Sequence, residues 1–216
     1  MIEYSRHIKE YLNHYYSSFS KIIPLEKWGN TKLAEKYMQK YWLNEKLYTS
    51  KWKPLQDKIF IQNTTLPDLI FRSEFKVEIL RGGCLFIEED FKQLQKIMQE
   101  LGEKKFVVIQ SSQEYTAGEP MFRMEFPVNI TWPELMSGNY ISAVLFEMSY
   151  NEYFVFGESG NWGKYSASDY IYPLDIIAYK AEWSFVFKKC LKQSAEEQKE
   201  ISEWYPSKYK QLLNNH

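Results

Sequence analysis

Histidine is nearly missing from this chain: His7, His14 and the terminal His216 are the only three in 216 residues. His7 and His14 fall two turns apart on a predicted helix, about 10 Å, whereas two metal ligands on one helix take the i,i+4 spacing of H-E-x-x-H. A Ser-His or Cys-His hydrolase would have to draw its base from one of these helix or tail positions, which counts against that chemistry. Cysteine is scarcer still. Cys84 and Cys190 stand far apart in apolar surroundings, so they make no disulfide framework and cannot complete a zinc site. No apolar run approaches the roughly 18 residues of a membrane span, and the residues after Met1 lack the charged-then-apolar pattern of a secretion signal. The expected setting is a reducing cytoplasm, with no cofactor, no metal and no membrane.

What the chain does have is aromatic side chains, 18% of residues, with 17 Tyr, 14 Phe and 7 Trp. Tyr and Trp join an apolar body to a polar tip and serve cores and interfaces alike. The net charge of −1 is unevenly spread. Residues 1–58 carry 11 basic against 6 acidic side chains, residues 59–180 carry 10 against 17, and residues 181–216 carry 6 against 5. An acidic centre argues against nucleic acid wrapping the middle of the chain and suits a basic protein partner.

The length fits a single domain over residues 1–216, able to bury a core without disulfides. Apolar residues at helical spacing predict a helix over 4–19. Pro24 and Gly29 break it, and Thr31 opens a second helix to about Tyr48 with Leu33, Tyr37, Met38, Tyr41 and Trp42 on its apolar side. Strands are predicted at Lys58–Gln62 and Asp68–Leu80. Glu88, Glu89 and Asp90 then start a helix whose stripe is Phe91, Leu94, Ile97, Met98 and Leu101, stopped at Gly102; acids in a first turn suit the helix dipole. Further strands are read at Phe106–Ile109, at Phe122–Phe126 with Arg123 and Glu125 turned to solvent, at Ile141–Met148 as a central strand, at Glu152–Phe156 and near Trp162–Ser168. Thr131 and Ser194 begin capping-box sequences, and helices close the chain over 181–216, interrupted at Pro206. The fold class is α+β: a mostly antiparallel sheet flanked by helices, with an N-terminal helical pair (1–50), a core (58–180) and C-terminal helices.

Tested for chemistry, the motifs fall short. Gly157-Glu-Ser-Gly160 approaches a nucleophile elbow, but Asn161 takes the place of the last glycine of G-x-S-x-G. Turn residues needing positive φ explain these glycines more simply. Pro67-Asp68 with Glu74-Phe75-Lys76 resembles the PD…ExK pattern, yet the six positions from Asp68 to Glu74 are too few for two strands and their turn. Glu88-Glu89-Asp90 points in three directions around a helix and is explained by the dipole. Lys21, Lys27, Lys32, Lys36 and Lys40 offer a basic face to nucleic acid, but Arg6 is the one arginine there, and such lysines also describe an ordinary solvated helix.

The run Asn151–Tyr170 remains. Glu158, Asn161, Trp162, Lys164, Tyr165, Asp169 and Tyr170 crowd a glycine-punctuated turn with the composition of a protein-contact hot spot. They are the candidate partner-binding residues, with no catalytic residue assigned. The stretch Tyr153–Tyr165 with Pro173–Ile177 resembles small uncharacterised bacterial proteins of the immunity type found in polymorphic or contact-dependent toxin systems, over roughly residues 85–190. That resemblance implies a cytoplasmic protein that neutralises a cognate toxin by occluding it, and it carries over no site residue. The expected function is non-enzymatic binding of another protein, such as a basic toxin domain. Two alternatives stand beside it: an enzyme or small-ligand binder with a cleft near the Gly157–Gly163 loop and carboxylates Glu147, Glu152 or Glu158, and nucleic-acid binding through the N-terminal helices.

Overall fold

The computed structural model describes residues 31–82, 85–111, 123–138, 140–142, 152–167, 174–191 and 193–214. Six strands form one antiparallel sheet: β1 (Phe75–Arg81), β2 (Lys105–Gln110), β3 (Arg123–Pro127), β4 (Glu152–Gly157), β5 (Trp162–Ala167) and β6 (Leu174–Lys180). Their spatial order is β1-β6-β5-β4-β2-β3. Consecutive strands β4, β5 and β6 pair in register as a meander, and β1 closes one side against β6. The protein is α+β, as its order of elements predicts.

Helices cover both faces of the sheet. On the first face, Phe106, Val108, Tyr153, Val155, Trp162, Ile177 and Tyr179 meet α1 (Thr31–Tyr41), α3 (Glu88–Glu100), α4 (Trp132–Leu135) and α5 (Ser184–Cys190). On the second, Val107, Ile109, Phe154, Phe156, Tyr165, Ile176 and Ala178 meet a helical run ending in α2 (Lys53–Ile59), the Phe60–Phe71 connection and α7 (Ser207–Asn214). Between α5 and α7 lies α6 (Ala195–Ser202), which contacts β1. Alternate side chains of a strand go to opposite faces. With both faces covered, all six residues of β5 and six of the seven of β6 are buried. Each large side chain so buried contributes about 1.5–3 kcal/mol.

Several local expectations change once tertiary contacts compete. The predicted helix from Thr31 to Tyr48 ends at Tyr41, because Leu43 N–H donates to Arg123 O at 3.0 Å and Trp42 bridges Met124 along the free edge of β3. Asn44 then caps a new helical turn by accepting from Leu47 N–H at 2.9 Å. Lys58–Gln62 is not a strand: α2 runs through Ile59, and only Phe60 bridges Phe71. Arg123 is buried, not turned to solvent, with its guanidinium 2.6 Å from Glu45 and over the Tyr48 ring. Ile141 lies in a helical turn, Tyr140–Ser142, where a central strand is predicted. The helix expected over 4–19, His7, His14, and residues 143–151 with Glu147 lie outside the described residues.

Other signals hold. Phe91, Leu94, Ile97 and Met98 are the buried stripe of α3, and Gly102 leaves it at φ 72°. Ser194 Oγ accepts from Glu197 N–H at 3.1 Å while Glu197 accepts from Ser194 N–H at 2.9 Å, the complete capping box at the start of α6. Thr131 caps α4 through Glu134 N–H, but the Glu134 carboxylate turns to Tyr41 and Lys40. Past Pro206, α7 docks on the second face through Tyr209, whose hydroxyl accepts from the buried Ile70 N–H at 3.0 Å. Tyr209→Phe leaves that amide without a partner and is expected to cost about 1–3 kcal/mol. Urea unfolding reads the loss as a lower midpoint at unchanged slope, and an unchanged midpoint would show that α7 is not held there.

Candidate functional site

The glycine-punctuated turn joins β4 to β5, and its geometry comes from beneath. Glu103, buried just past the end of α3, accepts Ser159 N–H at 3.0 Å and the Trp162 indole N–H at 3.0 Å, and it also receives the Ser159 hydroxyl. A Cβ on Gly157 would lie 2.4 Å from the Glu103 carboxyl carbon, so this glycine serves close approach. Gly160 is the position that needs the left-handed backbone, at φ 63°. The Glu103 carboxylate thus ties both the turn and the start of β5 to the body of the protein.

This corrects the expected contact surface. Trp162 and Tyr165 are fully buried and Lys164 is 3% exposed, so none of the three is presented to a partner. The reason is the alternation of β5: Trp162 and Lys164 enter the first face and Tyr165 the second, where its hydroxyl lies 3.2 Å from Thr65 Oγ1. Glu158 holds Lys51 and accepts Lys105 N–H at 3.1 Å. Its carboxyl is pushed up by burial but pulled further down by Lys51, for a net lowering. Asn161 is half-buried, and its carbonyl accepts Lys180 N–H at 2.9 Å. Asp169 and Tyr170 lie outside the described residues. Among the described residues, Glu103 fills the space under the loop and Glu152 accepts from Thr65, so neither offers a free group to the cleft of the alternative reading. Among the proposed basic residues, Lys21 and Lys27 are outside the described residues and Lys40 is paired with Glu134 at 2.5 Å.

A cavity of about 250 Å³ opens instead on the first face, between β1, β6 and β5 and the N-terminal ends of α3 and α6. Its floor is an ion pair. In β5–β6, Lys164 stands opposite Ile177 and Ser166 opposite Asp175, which makes Lys164 and Asp175 diagonal neighbours. Lys164 Nζ lies 2.6 Å from Asp175 Oδ2, donates to Leu85 O at 2.5 Å, and sits 4.8 Å from the centre of the Phe86 ring. The two side chains are 4% and 6% exposed. The second oxygen, Asp175 Oδ1, is fully buried, as is the hydroxyl of Ser166 directly across the strand pair. Buried polar atoms are nearly always satisfied, and Ser166 adds its hydrogen bond to that of Lys164 on the Asp175 carboxylate.

The rim is acidic and partly apolar. Asp90 and Glu197 line it, as do Ile87 and Leu191. Burial pushes the Asp175 carboxyl above its ordinary value against the charge and hydrogen bond of Lys164 and the hydrogen bond of Ser166. Asp90 is raised by burial as well, again against Lys164, with Glu89 and Glu197 adding to the rise. Arg81 is held by Glu200 at 2.6 Å and lies over the Trp204 ring. An amine held by a carboxylate and a carbonyl is a donor rather than a nucleophile, so Lys164 fixes the carboxylate. A second cavity of about 390 Å³ lies on the opposite face. There Tyr48 donates to Gln56 and Thr64 to Ile61 O, and none of its lining side chains has an orphaned buried atom among the described residues.

Composition alone did not single out this site. The available signal was one charge in each of two apolar strands, Lys164 in β5 and Asp175 in β6, and only the register joins them. Among the described residues no grouping of three or more His, Cys, Asp or Glu could hold a metal ion, and no helix is long and apolar enough to cross a membrane.

Two expected outcomes follow from these networks. Glu103→Ala strands the Trp162 indole and the Ser159 amide and should cost about 2–4 kcal/mol in urea unfolding; a loss under about 0.5 kcal/mol would mean the turn does not depend on it. For the ion pair, Lys164→Met or Asp175→Leu alone should cost about 3–5 kcal/mol by leaving a buried charge unpaired, while the double variant should regain most of that loss. A double variant as unstable as the sum of the singles would refute the pairing. Comparison of the chain with protein-family models, with curated proteins and with solved structures found no match.

Proposed function

We propose that this is a non-enzymatic binding protein that takes a small ligand into the cavity above Lys164 and Asp175. The observation that carries the reading is an open, ligand-sized space whose apolar wall is joined by the buried Lys164–Asp175 pair. An empty apolar cavity of about 150 Å³ accepts benzene; the present cavity is larger and combines apolar walls with a few fixed polar groups, the usual make-up of a small-molecule site.

Local stability is given up around the same space. Ile87 occupies the N-cap of α3, provides no capping hydrogen bond and remains 49% exposed. Isoleucine is among the least favourable residues there, and a Ser or Asp would stabilise the helix by about 0.5–2 kcal/mol. Ile87 lines the cavity mouth, where an apolar contact is of more use to a ligand than to the helix.

Ile87 and the acid-rich starts of α3 and α6 also favour a second reading: a basic protein that inserts a side chain into this cavity. Neutralisation of a toxin by occlusion would be one case of it, with complementary charge speeding encounter. The small-ligand reading is tested by NMR titration of the labelled protein with three small probes of one shape, butylguanidinium, butylurea and pentanoate. At least one should shift the amide resonances of Ser166 and Ile177, and Gln93→Trp, which fills the mouth, should remove the response. If none of the three shifts those amides, the small-ligand reading fails.

A further inference from the structure

Independently of the first cavity, we infer that the cavity of about 390 Å³ on the second face binds a neutral, hydroxyl-rich ligand built like a single sugar ring. An irregular helix forms its wall. Residues Tyr48–Trp52 make a π-helical turn leading into α2, closed by the Lys53 N–H donating to Tyr48 O five residues back. Eight residues of α-helix would leave Tyr48 and Gln56 about 80° apart around the axis, and the extra residue of the π turn brings them within about 20°. Both side chains therefore meet at the cavity, where the Tyr48 hydroxyl donates to Gln56 Oε1 at 2.9 Å. Asn63, also in the lining, adds a second irregularity, a left-handed backbone at φ 55°. π turns are rare and recur at functional sites, as do residues in sparsely populated backbone regions.

The chemistry of the lining identifies the ligand class. Lys53 and Asp57 are the charged residues that line the space, and they pair with each other, so neither sign of charge is in surplus for an ion. The pair still offers the remaining Lys53 N–H donors and the second Asp57 oxygen. Tyr48 takes the Gln56 oxygen, which leaves the Gln56 N–H₂ group to donate. Thr64 gives its hydroxyl proton to Ile61 O and retains acceptor capacity, while the Asn63 amide can do both. A sugar hydroxyl donates and accepts at once, so a ring bearing several of them needs this mixture of fixed donors and acceptors. Phe60 and Phe154, with ring centres 4.7 Å apart, supply an apolar side suited to the C–H face of a pyranose. Aromatic walls with a few placed polar groups are the usual make-up of such a site.

NMR titration of the labelled protein with glucose, galactose, mannose and N-acetylglucosamine tests this, with cyclohexanol and uracil as controls. At least one sugar should bind with a dissociation constant near millimolar. It should shift the backbone amides of Asn63 and Thr64 and the side-chain N–H₂ resonances of Gln56, and leave Ser166 and Ile177 on the other face unmoved. Asn63→Gly keeps the left-handed backbone and should weaken that sugar by about threefold to tenfold, the loss of one hydrogen bond. Gln93→Trp, which fills the first cavity, should leave it unchanged. Silence from all four sugars, or full affinity in Asn63→Gly, would overturn the inference. Equal or stronger binding of cyclohexanol or uracil would overturn the sugar assignment. The butyl probes report on the opposite face, so either cavity can fail without the other.

Discussion

Covering an antiparallel sheet on both faces removes the solvent side that such sheets usually keep, and every polar residue in the central strands must then find its partner inside. That constraint organises this protein. Glu103 takes up the Trp162 indole and the turn before β5. Thr65 reaches Glu152 and the Tyr165 hydroxyl. Arg123 meets Glu45, and Trp52 donates its indole N–H to Glu125 at 2.8 Å. Each pairing joins segments far apart in sequence, so the polar network fixes how the helical layers sit on the sheet. The apolar clusters alone, being tolerant of repacking, would fix this less narrowly.

The pair Lys164–Asp175 fits that pattern only in part. Buried ion pairs stabilise little, since desolvation offsets most of the Coulomb gain. They do penalise errors: a one-residue slip between β5 and β6 would send Lys164 to the opposite face, against Phe60 and Ile59, and leave both charges alone. Register specification accounts for the carboxylate, which takes Lys164 from the diagonal position and Ser166 from the directly opposed one. It does not account for the open space lined by the pair, where the same strands could have buried an apolar residue. A purely structural pair would be expected to close over itself; this one leaves room above it.

The amino-acid pattern showed the layers better than it showed the site. The α3 stripe, the capping box at Ser194, the breaks at Gly102 and Pro206 and the strands β4 and β5 were legible because each rests on local periodicity or backbone chemistry, whereas β6 was not read as a strand. The early end of α1 at Tyr41 was not, because the competing hydrogen bond comes from Arg123, eighty residues on. The same holds for Lys58–Gln62, whose apolar alternation belongs to a helix end and a single bridge. The reading of Trp162, Lys164 and Tyr165 as a contact surface failed for a specific reason. A tryptophan, a lysine and a tyrosine beside glycines describe a hot spot and a doubly covered strand equally well, and composition does not reveal how many faces a sheet has buried. Glu103 went unnoticed because a lone acid beyond a helix stop carries no pattern at all.

Asp90 shows where the local explanation reaches its limit. Acids in the first turn of α3 are accounted for by the helix dipole, and Glu88, paired with Lys92 at 2.6 Å on the surface, fits that account. A carboxylate stabilised by a helix N-terminus has its pKa lowered. Asp90 has its pKa raised: burial, with Glu89 and Glu197 adding to it, outweighs the charge of Lys164. Beside it the N-cap Ile87, with no side-chain capping bond, gives up helix stability, and both residues line the same cavity. The proposed ligand reading accounts for two such choices meeting at one space, whereas the helix alone accounts for neither.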